Sequence, residues 1–502
     1  MASLQKTYHQ QKLLGQVYTP RWVVEKILKA IGFQAIDLCT KKILDTSCGD
    51  GRFLVVLVEQ ILEQVPRQFV KLCLENIYGW DIDETAVEAC KNNLQQIINQ
   101  TDWAAELGEI QWKMSHQNSL QKLDSTEKFD FIVGNPPYIR IQHLSKEERT
   151  FVQQHYQFCK KGATDTYIAF YELSVHLLTE EGIAGLITPN TFLYSETAQA
   201  LRQHFASTQT LRQITNYGTI QVFDNATTYS AITVFGKKAQ ADFLYEQAEN
   251  TQSYSQKRIN YQDLAQQKTW QLSTKTAPKT TFEGSEGTKL KELCKIHVGV
   301  TTLCDKAYII KQISPSAEDE SLVIAQTALK GEVLIEKALL RPIVKASKLK
   351  NNQEIVTEYI LFPYSRKNGK HQIIPENDLQ NQYPLAYTYL LSVKEVLDKR
   401  DNGKPNAVAW YAFGRSQGLD TSFGQKILFS PMNPTPNFVW FPYEDYTFYS
   451  GYCIKYEGDN ALLLKELNSE RLAQFIAVSS RDFRGGWKAY NKKVLEEFTV
   501  NL

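Results

Sequence analysis

The sequence has few of the features that mark unusual protein classes. Its 502 residues include 8 cysteines, with no C-x-x-C pair and no histidine at ligand spacing beside them, so neither a zinc site nor a disulfide scaffold is expected. The longest apolar run, Phe53 to Val58, is far too short to cross a membrane, and no signal for export is found. We therefore expect a cytoplasmic chain with reduced thiols.

A net charge of one sign is also missing. The 56 Lys and Arg residues balance 55 Asp and Glu residues to a formal charge of +1, so any basic binding surface must be local. Hydrophobic residues make up 43% and charged residues 22% of the chain, which excludes disordered and collagen-like classes. The length is sufficient for two or three domains with their own cores.

The first half of the sequence alternates short β-type runs with stretches of helical periodicity. Strand-like runs occupy 42–45 and 77–81, and apolar residues from Phe53 to Leu62 recur at helical spacing between them. This alternation predicts an α/β fold with a parallel sheet covered by helices. Further strands are predicted over 109–114, 129–133, 182–188, 213–217 and 229–235, the last two antiparallel or at an edge.

The composition changes after the last of these strands. From 241 to 287 the chain is rich in Gln, Ser, Thr and Lys and loses clear periodicity, which is typical of a linker. We therefore predict a first domain over 1–240 and a second over 288–502. Short strands, aromatic clusters and Pro/Gly loops predict a mixed α+β fold for the second domain.

A glycine-containing turn follows the first predicted strand. Asp45 ends that strand, and Gly49 and Gly51 lie before the next helix, where the absence of side chains lets a ligand press against the backbone. The D-x-x-x-G-x-G spacing differs from the dinucleotide motif and suits a ligand without a pyrophosphate. The alternative interpretation is a tight strand-to-helix turn with Asp50 as helix N-cap.

Polar residues also follow the next strands. Asp81 ends the second strand, where a carboxylate can accept both hydroxyls of a ribose. Asp83 begins a helix and is interpreted as its N-cap. Asn118, after the third strand, could pair with an adenine edge, although a plain loop asparagine fits nearly as well.

The sharpest signal is the tetrapeptide Asn135-Pro-Pro-Tyr138 at the end of a buried strand. Two prolines fix the loop, so the Asn135 side-chain oxygen and the Pro136 carbonyl become rigid, adjacent acceptors. Such a pair matches an NH₂ group that donates two hydrogens. A proline-stiffened turn would explain the prolines but neither the amide nor the ring of Tyr138.

The order of these motifs resembles that of the gamma-class adenine-N6 DNA methyltransferases of type II restriction-modification systems with a Taq-type C-terminal specificity domain. The resemblance covers nearly the whole chain and includes two further stretches, 165–172 and 182–190. It implies a Rossmann-like, S-adenosylmethionine-dependent methyltransferase sheet sandwiched by helices, followed by a DNA-recognition domain. The motifs that carry it are Gly15 to Pro20, the Asp45 to Gly51 turn, Asp81, Asn118 and Asn135 to Tyr138.

The resemblance also assigns roles to residues. It implies that Asp81 binds the ribose of S-adenosylmethionine, and that Ile82 and Asn118 bind its adenine. A departure is Thr46, where the family often has proline. The methionine part would be held by Tyr18, Thr19, Asp45, Ser47, Cys48, Gly49 and Gly51. The catalytic residues would be Asn135, Pro136, Tyr138 and Phe223.

Two of these roles have competing interpretations. Phe223 is preferred over Tyr229 as the second aromatic that stacks on the base, and sheet packing is the alternative for either. Thr19 and Pro20 also predict an N-cap and first helical residue for an amphipathic helix over 22–31.

The implied function is methyl transfer to N6 of a flipped adenine in double-stranded DNA, without a metal. It implies a monomeric bacterial protein that protects host DNA from a cognate restriction endonuclease, which need not bind it physically. Cytosine-N4 methylation and methylation of RNA or of a protein glutamine are alternatives within the enzymes. A DNA-binding specificity protein that has lost catalysis is the rival from another class.

Basic residues predict two DNA contacts. The stretch 140–161 is either a flap on phosphates or a solvated charged helix. Loops of the second domain carry further candidates for phosphate and base contacts, namely Arg341, Lys345, Lys348, Arg366, Lys367, Lys370, Arg415, Arg481, Arg484, Trp487 and Lys488.

Overall fold

Two compact units, Met1–Thr276 and Ala277–Leu502, make up the chain. The computed structural model describes residues 19–162, 164–223, 228–264, 267, 269–270, 272–274, 287–350, 358–480, 482–483 and 486–502. Among these residues, no helix is both long and apolar enough to span a bilayer.

A nine-stranded sheet forms the centre of the first unit. Its spatial order is β3-β2-β1-β4-β5-β7-β6-β8-β9. The first five strands in this order are parallel to their neighbours, whereas β7 is antiparallel to β5 and β6, and β9 to β8. The strands are β1 (Ile43–Asp45), β2 (Ile77–Asp81), β3 (Lys113–His116), β4 (Phe129–Gly134), β5 (Leu178–Pro189), β6 (Leu211–Asn216), β7 (Ser230–Gly236), β8 (Asp242–Ala248) and β9 (Tyr254–Asn260).

Helices cover both faces of this sheet. One apolar cluster joins the sheet to helices α1–α4, and a second joins it to α6–α8. Strands covered on both faces are buried along their whole length, as in β1, where all three residues are buried. The helices are α1 (Arg21–Ala30), α2 (Arg52–Gln64), α3 (Arg67–Leu74), α4 (Glu84–Asn99), α5 (Ala104–Leu107), α6 (Lys146–His155), α7 (Thr166–Leu177) and α8 (Gln199–Thr208).

The predicted α/β sandwich is thus confirmed. The strands predicted over 42–45, 77–81, 129–133, 182–188, 213–217 and 229–235 correspond to β1, β2, β4, β5, β6 and β7. The prediction over 109–114 was shifted, because β3 begins at Lys113. The antiparallel arrangement predicted for the last two strands is present, since β7 runs antiparallel to β6.

The stretch predicted to begin a linker at 241 instead extends the sheet. β8 pairs in parallel with β6, and β9 pairs with β8. Some of its polar residues form a buried network around Glu246. The Glu246 carboxylate accepts hydrogen bonds from Thr215 Oγ1 (2.6 Å) and Gln256 Nε2 (2.7 Å). Lys26 lies 3.0 Å from the same carboxylate. Because these partners satisfy the buried charge, a strand forms where hydrophobic periodicity is weak.

The second unit is mixed α and β. It contains a six-stranded sheet in the order β14-β13-β12-β16-β15-β22, a four-stranded sheet in the order β11-β23-β19-β21, and three smaller sheets. The pair β10–β26 joins the start of the unit to its end.

The strands of the second unit are short. They are β10 (Thr288–Lys289), β11 (Lys295–Val298), β12 (Ile309–Pro315), β13 (Leu322–Thr327), β14 (Gly331–Glu336), β15 (Leu340–Lys345), β16 (Tyr359–Leu361), β17 (Tyr364–Lys367), β18 (Lys370–Ile373), β19 (Lys426–Phe429), β20 (Met432–Asn433), β21 (Phe438–Phe441), β22 (Thr447–Tyr449), β23 (Tyr452–Lys455), β24 (Asp482–Phe483), β25 (Trp487–Ala489) and β26 (Thr499–Val500). The helices are α9 (Leu290–Leu293), α10 (Asp305–Tyr308), α11 (Glu376–Gln382), α12 (Pro384–Ser392), α13 (Lys394–Asp398), α14 (Asn460–Leu467), α15 (Glu470–Ser479) and α16 (Lys492–Leu495).

Candidate functional site

A cavity of about 790 Å³ lies in the first unit, at the carboxyl ends of parallel strands. Ligands of open α/β sheets bind at this edge, where the loops after several strands converge. Nine of the predicted site residues line the cavity: Thr19, Asp45, Ser47, Cys48, Gly49, Asp81, Ile82, Asn118 and Asn135. The fold therefore brings together motifs that lie more than 100 positions apart in the sequence.

Four predicted residues that the structure describes lie outside the cavity lining: Gly51, Pro136, Tyr138 and Phe223. Gly51 and Tyr138 still shape it, as their contacts below make clear. Tyr18 lies outside the described residues, so its predicted contact with the methionine part stays a prediction.

The turn after β1 depends on its two glycines. Gly49 has φ +52° and Gly51 has φ +85°. Residues other than glycine adopt these backbone conformations only at an energetic cost. A Cβ at Gly51 would lie 2.6 Å from the Cys90 Sγ, whereas one at Gly49 would meet no atom within 4 Å. Gly51 therefore allows close packing of α2 on α4, and Gly49 leaves space at the cavity wall.

Asp50 does not cap the following helix, contrary to the alternative interpretation of this turn. Gly51 is the N-cap residue of α2 and no side chain caps it. The Asp50 carboxylate instead accepts a hydrogen bond from Arg52 Nε at 3.1 Å. Both side chains line the cavity.

Asp45 is a buried carboxylate at the cavity wall. It is 2% exposed, and its Oδ1 accepts a hydrogen bond from the Ser47 N–H at 2.9 Å. Burial, assisted by the negative charge of Asp81, raises the pKa of Asp45 to about 7. The neighbouring strand β4 leaves room for this carboxylate only because position 134 is a glycine. Gly134 has φ +147°, and a Cβ there would lie 2.7 Å from Asp45 Oδ1. A cationic ligand group would favour the ionised form of this carboxylate.

Asp81 connects two turns at the end of β2. Its Oδ2 accepts a hydrogen bond from the Gly49 N–H (2.8 Å), and its Oδ1 accepts one from the Asp83 N–H (2.9 Å). Asp83 caps α4 as predicted, accepting from the N–H groups of Thr85 and Ala86. The hydrogen bond from Thr85 helps to hold the pKa of Asp83 below its usual value.

Ile82 and Asn118 lie on the same side of the cavity as Asp81. Ile82 is 54% exposed and lines the cavity, so it offers an apolar surface to a ring. Asn118 Oδ1 accepts a hydrogen bond from the Leu120 N–H at 3.0 Å and so begins a short 3-10 helix. This contact is the local role expected of a loop asparagine, and its pairing with an adenine stays a prediction.

The Asn135 amide is oriented from both of its ends. Its Nδ2 donates to Thr19 Oγ1 at 3.1 Å, and its Oδ1 accepts a hydrogen bond from the Tyr138 hydroxyl at 2.5 Å. The Ser47 hydroxyl donates to the Asn135 backbone carbonyl at 3.3 Å. Pro136 is buried. Thr19 and Tyr138 therefore hold the side-chain amide in a fixed orientation at the cavity, and Ser47 binds the backbone of the same residue.

The Thr19 side chain hydrogen-bonds to Asn135 and does not cap the helix that follows it. The sequence predicted Thr19 as N-cap and Pro20 as the first helical residue, whereas α1 begins at Arg21 with Pro20 as N-cap and no side-chain capping bond. This correction has a simple cause, because the Thr19 hydroxyl already accepts from Asn135 Nδ2.

The stretch 165–172 supports the loop that leaves Asn135. Thr166 Oγ1 donates to the Pro137 carbonyl (2.6 Å) and accepts from the Ile139 N–H (3.2 Å). Tyr167 packs edge-on against the Tyr138 ring, with 6.2 Å between centroids. Phe170 lines the cavity, a contact that the sequence analysis missed although it had noted this stretch as similar to a family motif.

The charged stretch after Tyr138 also contributes to the cavity. Glu147, Glu148, Phe151 and Val152 of α6 line it, together with residues that precede the helix. Ser145 and Glu148 form a capping box at the start of α6. The basic residues of this stretch predicted a DNA contact, whereas it is the acidic and apolar side chains of α6 that line the cavity. The contact of its basic residues with phosphates stays a prediction. Residues missed here and nearby are Leu120, Gln121, Ile139, His143 and Leu144.

Phe223 lies in the hydrophobic core and not at the cavity. It is 1% exposed and belongs to the same apolar cluster as Val222 and Tyr217. The structure therefore corrects its predicted position, because the apolar neighbours draw the ring into the sheet packing. Tyr229 is half-buried, and its carbonyl accepts from the Asn190 N–H. Residues 224–227 between them lie outside the described part.

Cys48 is a packing residue at the cavity wall. A hydrogen bond with the Cys90 thiol, together with burial, raises the pKa of Cys48, so the thiolate that a nucleophile requires is disfavoured. In the described ranges, no group of three or more His, Cys, Asp and Glu side chains is arranged to hold a metal ion.

Comparison with known proteins adds two findings on sequence. Residues 75–223 match the family described as Eco57I restriction-modification methylase. The Type II restriction enzyme and methyltransferase RM.Eco57I of Escherichia coli is 24% identical over 490 residues, covering 82% of this chain and 48% of that protein. The Type II methyltransferase M.BanIII of Aneurinibacillus aneurinilyticus is 25% identical over 532 residues, covering 96% of this chain and 85% of that protein. The chain spans about half the length of the Escherichia coli protein.

Comparison of structures agrees on the fold. The Type IIL restriction-modification enzyme MmeI, solved in complex with DNA, superposes with a TM-score of 0.60 at 13% identity, over 93% of this chain and 63% of that one. The first unit has an α/β fold, and a further domain follows it.

Proposed function

We propose that this chain is the DNA methyltransferase of a type II restriction-modification system and transfers a methyl group from S-adenosylmethionine to N6 of an adenine. The observation that carries the proposal is the Asn135 amide, oriented by Thr19 and Tyr138, in the same cavity as Asp45 and Asp81. An amide held in this way suits an exocyclic NH₂ group, and the two carboxylates suit a nucleoside that carries positive charge.

The shape and chemistry of the cavity fit the methyl donor. Gly49 leaves space beside the backbone, where an added Cβ would meet no atom. Asp81, at the end of β2, is placed to accept ribose hydroxyls, and Ile82 and Phe170 offer apolar surfaces to an adenine. Asp45 would accept the cationic methionine part. When bound, S-adenosylmethionine supplies a methyl group activated by its sulfonium.

The chain's own residues would then activate the target nitrogen. An aromatic amine is a poor nucleophile because its lone pair is delocalised into the ring. Hydrogen bonds from the NH₂ group to Asn135 Oδ1 and the Pro136 carbonyl localise that lone pair and stabilise the positive charge that develops on the nitrogen. Asn135 Oδ1 also accepts from Tyr138, and an amide oxygen has two lone pairs, so both bonds can form together.

A base stacked in duplex DNA cannot reach this amide, so the adenine must rotate out of the helix. Tyr138 would stack on one face of the rotated base and repay part of the cost of unpairing. The second unit would select the target sequence. The proposal includes a cognate restriction endonuclease that cuts the same sequence when it is unmethylated.

Cytosine-N4 methylation is the second candidate, because its target is also an exocyclic NH₂ group of a flipped base. The asparagine at position 135 favours adenine, since serine is more usual at this position of the tetrapeptide in cytosine-N4 methyltransferases. Long-read sequencing of DNA from a host that expresses the chain tests both candidates. N6-methyladenine at one recurring sequence is the expected result, and N4-methylcytosine would support the second candidate.

A further inference from the structure

A two-stranded hairpin in the second unit stands apart from the larger sheets. β17 and β18 pair with each other and with no other strand of the described residues. Asn368 (φ +50°) and Gly369 (φ +77°) form the connecting turn, and two consecutive left-handed residues are typical of the tight turns that close β-hairpins. Residues 364–373 therefore form a narrow ribbon.

The base of this hairpin is fixed by specific contacts. The Tyr364 hydroxyl accepts a hydrogen bond from the Phe413 N–H at 2.7 Å. Asp420 Oδ1 accepts one from the His371 N–H at 2.7 Å, and the His371 Nδ1 lies 2.9 Å from the same oxygen. The His371 ring also packs edge-on against Phe362. Because an isolated two-stranded hairpin is only marginally stable in water, these contacts are needed to hold the ribbon in place.

The strand register separates the hairpin into two faces. Tyr364 opposes Ile373, and Arg366 opposes His371. Residues directly opposite one another share a face, so this face packs its base against the unit, with Tyr364 buried. The other face carries the two remaining opposed pairs, Ser365 with Gln372 and Lys367 with Lys370.

The outward face concentrates positive charge. Lys367 and Lys370 are both exposed and directly opposite each other, an arrangement of like charges that destabilises a hairpin. Arg366 is also exposed, on the opposite face of the hairpin. Among the salt bridges of the described second unit, none involves these three side chains. The carboxylate at the base of the hairpin, Asp420, pairs with His371, and the positive charge of Lys370 also helps to hold the pKa of Asp420 below its usual value.

We propose that the hairpin 364–373 contacts duplex DNA through this outward face. Lys367 and Lys370 would bind phosphates, where their charge is complementary and their mutual repulsion is relieved, and Arg366 would bind a phosphate from the opposite face of the ribbon. Ser365 and Gln372, on the same face as the two lysines, would present hydrogen-bonding groups to base edges in the major groove, which is wide enough for a two-stranded β-ribbon. This inference rests on the proposed function and assigns part of the DNA recognition to one element.

The test removes the three charges in the full chain with Arg366→Ala, Lys367→Ala and Lys370→Ala. Duplex binding is measured by fluorescence anisotropy over a range of KCl concentrations. Each lost phosphate contact lowers the slope of log Kd against log salt by about 0.9, so the slope should fall by about 2 to 3. A control variant removes the same charge from exposed lysines elsewhere in the unit, by alanine substitution of Lys311, Lys330 and Lys337.

The outcomes separate this inference from the proposed function. A flattened salt dependence in the hairpin variant, with the control close to wild type, supports the inference. If the wild type methylates DNA and the hairpin variant binds duplex with an unchanged slope, the inference is overturned and the proposed function stands. If the wild type neither binds nor methylates DNA, both fail. Should the alanine variant unfold by circular dichroism, Arg366→Gln, Lys367→Gln and Lys370→Gln together provide the same comparison.

A second variant tests base contact. Gln372→Ala is expected to leave the affinity for unrelated duplex unchanged and to relax the set of methylated sequences, because a good base contact contributes about 1 to 3 kcal/mol of discrimination. An unchanged set of methylated sequences would remove Gln372 from base recognition. An acidic peptide that competes for the hairpin while DNA does not would show that the partner is a protein.

Discussion

Binding of the methyl donor should depend on pH through Asp45. Burial raises the pKa of this carboxylate to about 7, so it is about nine-tenths ionised at pH 8 and about one-tenth ionised at pH 6. If the cationic methionine part of S-adenosylmethionine binds the ionised form, its affinity should weaken about tenfold over this range, which corresponds to about 1.4 kcal/mol.

Isothermal titration calorimetry at pH 6, 7 and 8 measures this effect in the wild type, Asp45→Asn and Asp50→Asn. Asp45→Asn should bind more weakly at pH 8 and lose the pH dependence, apart from the titration of the ligand itself, which all three proteins share. Asp50 also lines the cavity, and the Asp50→Asn variant still contains Asp45. This control should therefore retain the pH dependence of the wild type. Parallel profiles for the wild type and Asp45→Asn would refute the assignment.

The same carboxylate affects the stability of the free protein. Since the pKa of Asp45 is higher in the folded state than the usual value of about 3.9, the unfolded chain loses this proton first as pH rises. The contribution of Asp45 to the free energy of unfolding is therefore fully present below about pH 4 and is lost as pH rises through about 7. Without donor, Asp45→Asn should be more stable than the wild type above pH 7, as measured by urea unfolding.

Two further predictions concern the turn and the aromatic ring. Gly49→Ala should cost about 1 to 2 kcal/mol of stability for its positive φ alone, and Gly51→Ala should cost more because its Cβ would lie 2.6 Å from Cys90 Sγ; equal unfolding midpoints in urea would contradict this difference. Tyr138→Ala should reduce the fluorescence of 2-aminopurine at the target base, whereas Tyr138→Phe should preserve it and slow methyl transfer, since only the hydroxyl that orients Asn135 is lost. Equal fluorescence in both variants would remove the ring from base capture.

The sequence predicts the site best where polar residues directly follow buried strands. Asp45, Asp81 and Asn135 each end or follow an apolar run, and parallel strands bring their carboxyl ends to one edge. The sequence alone was therefore sufficient to predict that these three residues line the cavity. Phe170 carried a weaker signal, because it lies on a helix whose residues are nearly all buried, and burial alone does not reveal which ring faces a cavity.

Other features depended on contacts between distant residues. Strands β8 and β9 form around Glu246, whose partners Thr215 and Lys26 lie 31 and 220 positions away, so local composition suggested a linker. Phe223 follows Val222 in a stretch that mixes apolar and polar residues, and its ring packs in the core with Val222 and Tyr217 rather than at the cavity. Such outcomes follow from tertiary packing, which overrides local pattern.

The role of Asn135 tests the account most directly. DNA from a host that expresses the wild type or Asn135→Ala is sequenced by a long-read method that detects modified bases, with circular dichroism and duplex binding as checks that the variant is folded. We predict N6-methyladenine at one recurring sequence in the wild type and a loss of several orders of magnitude in the variant, because the amide acts on the reacting nitrogen. Undiminished methylation by folded Asn135→Ala, or no methylation by the wild type, would contradict the account.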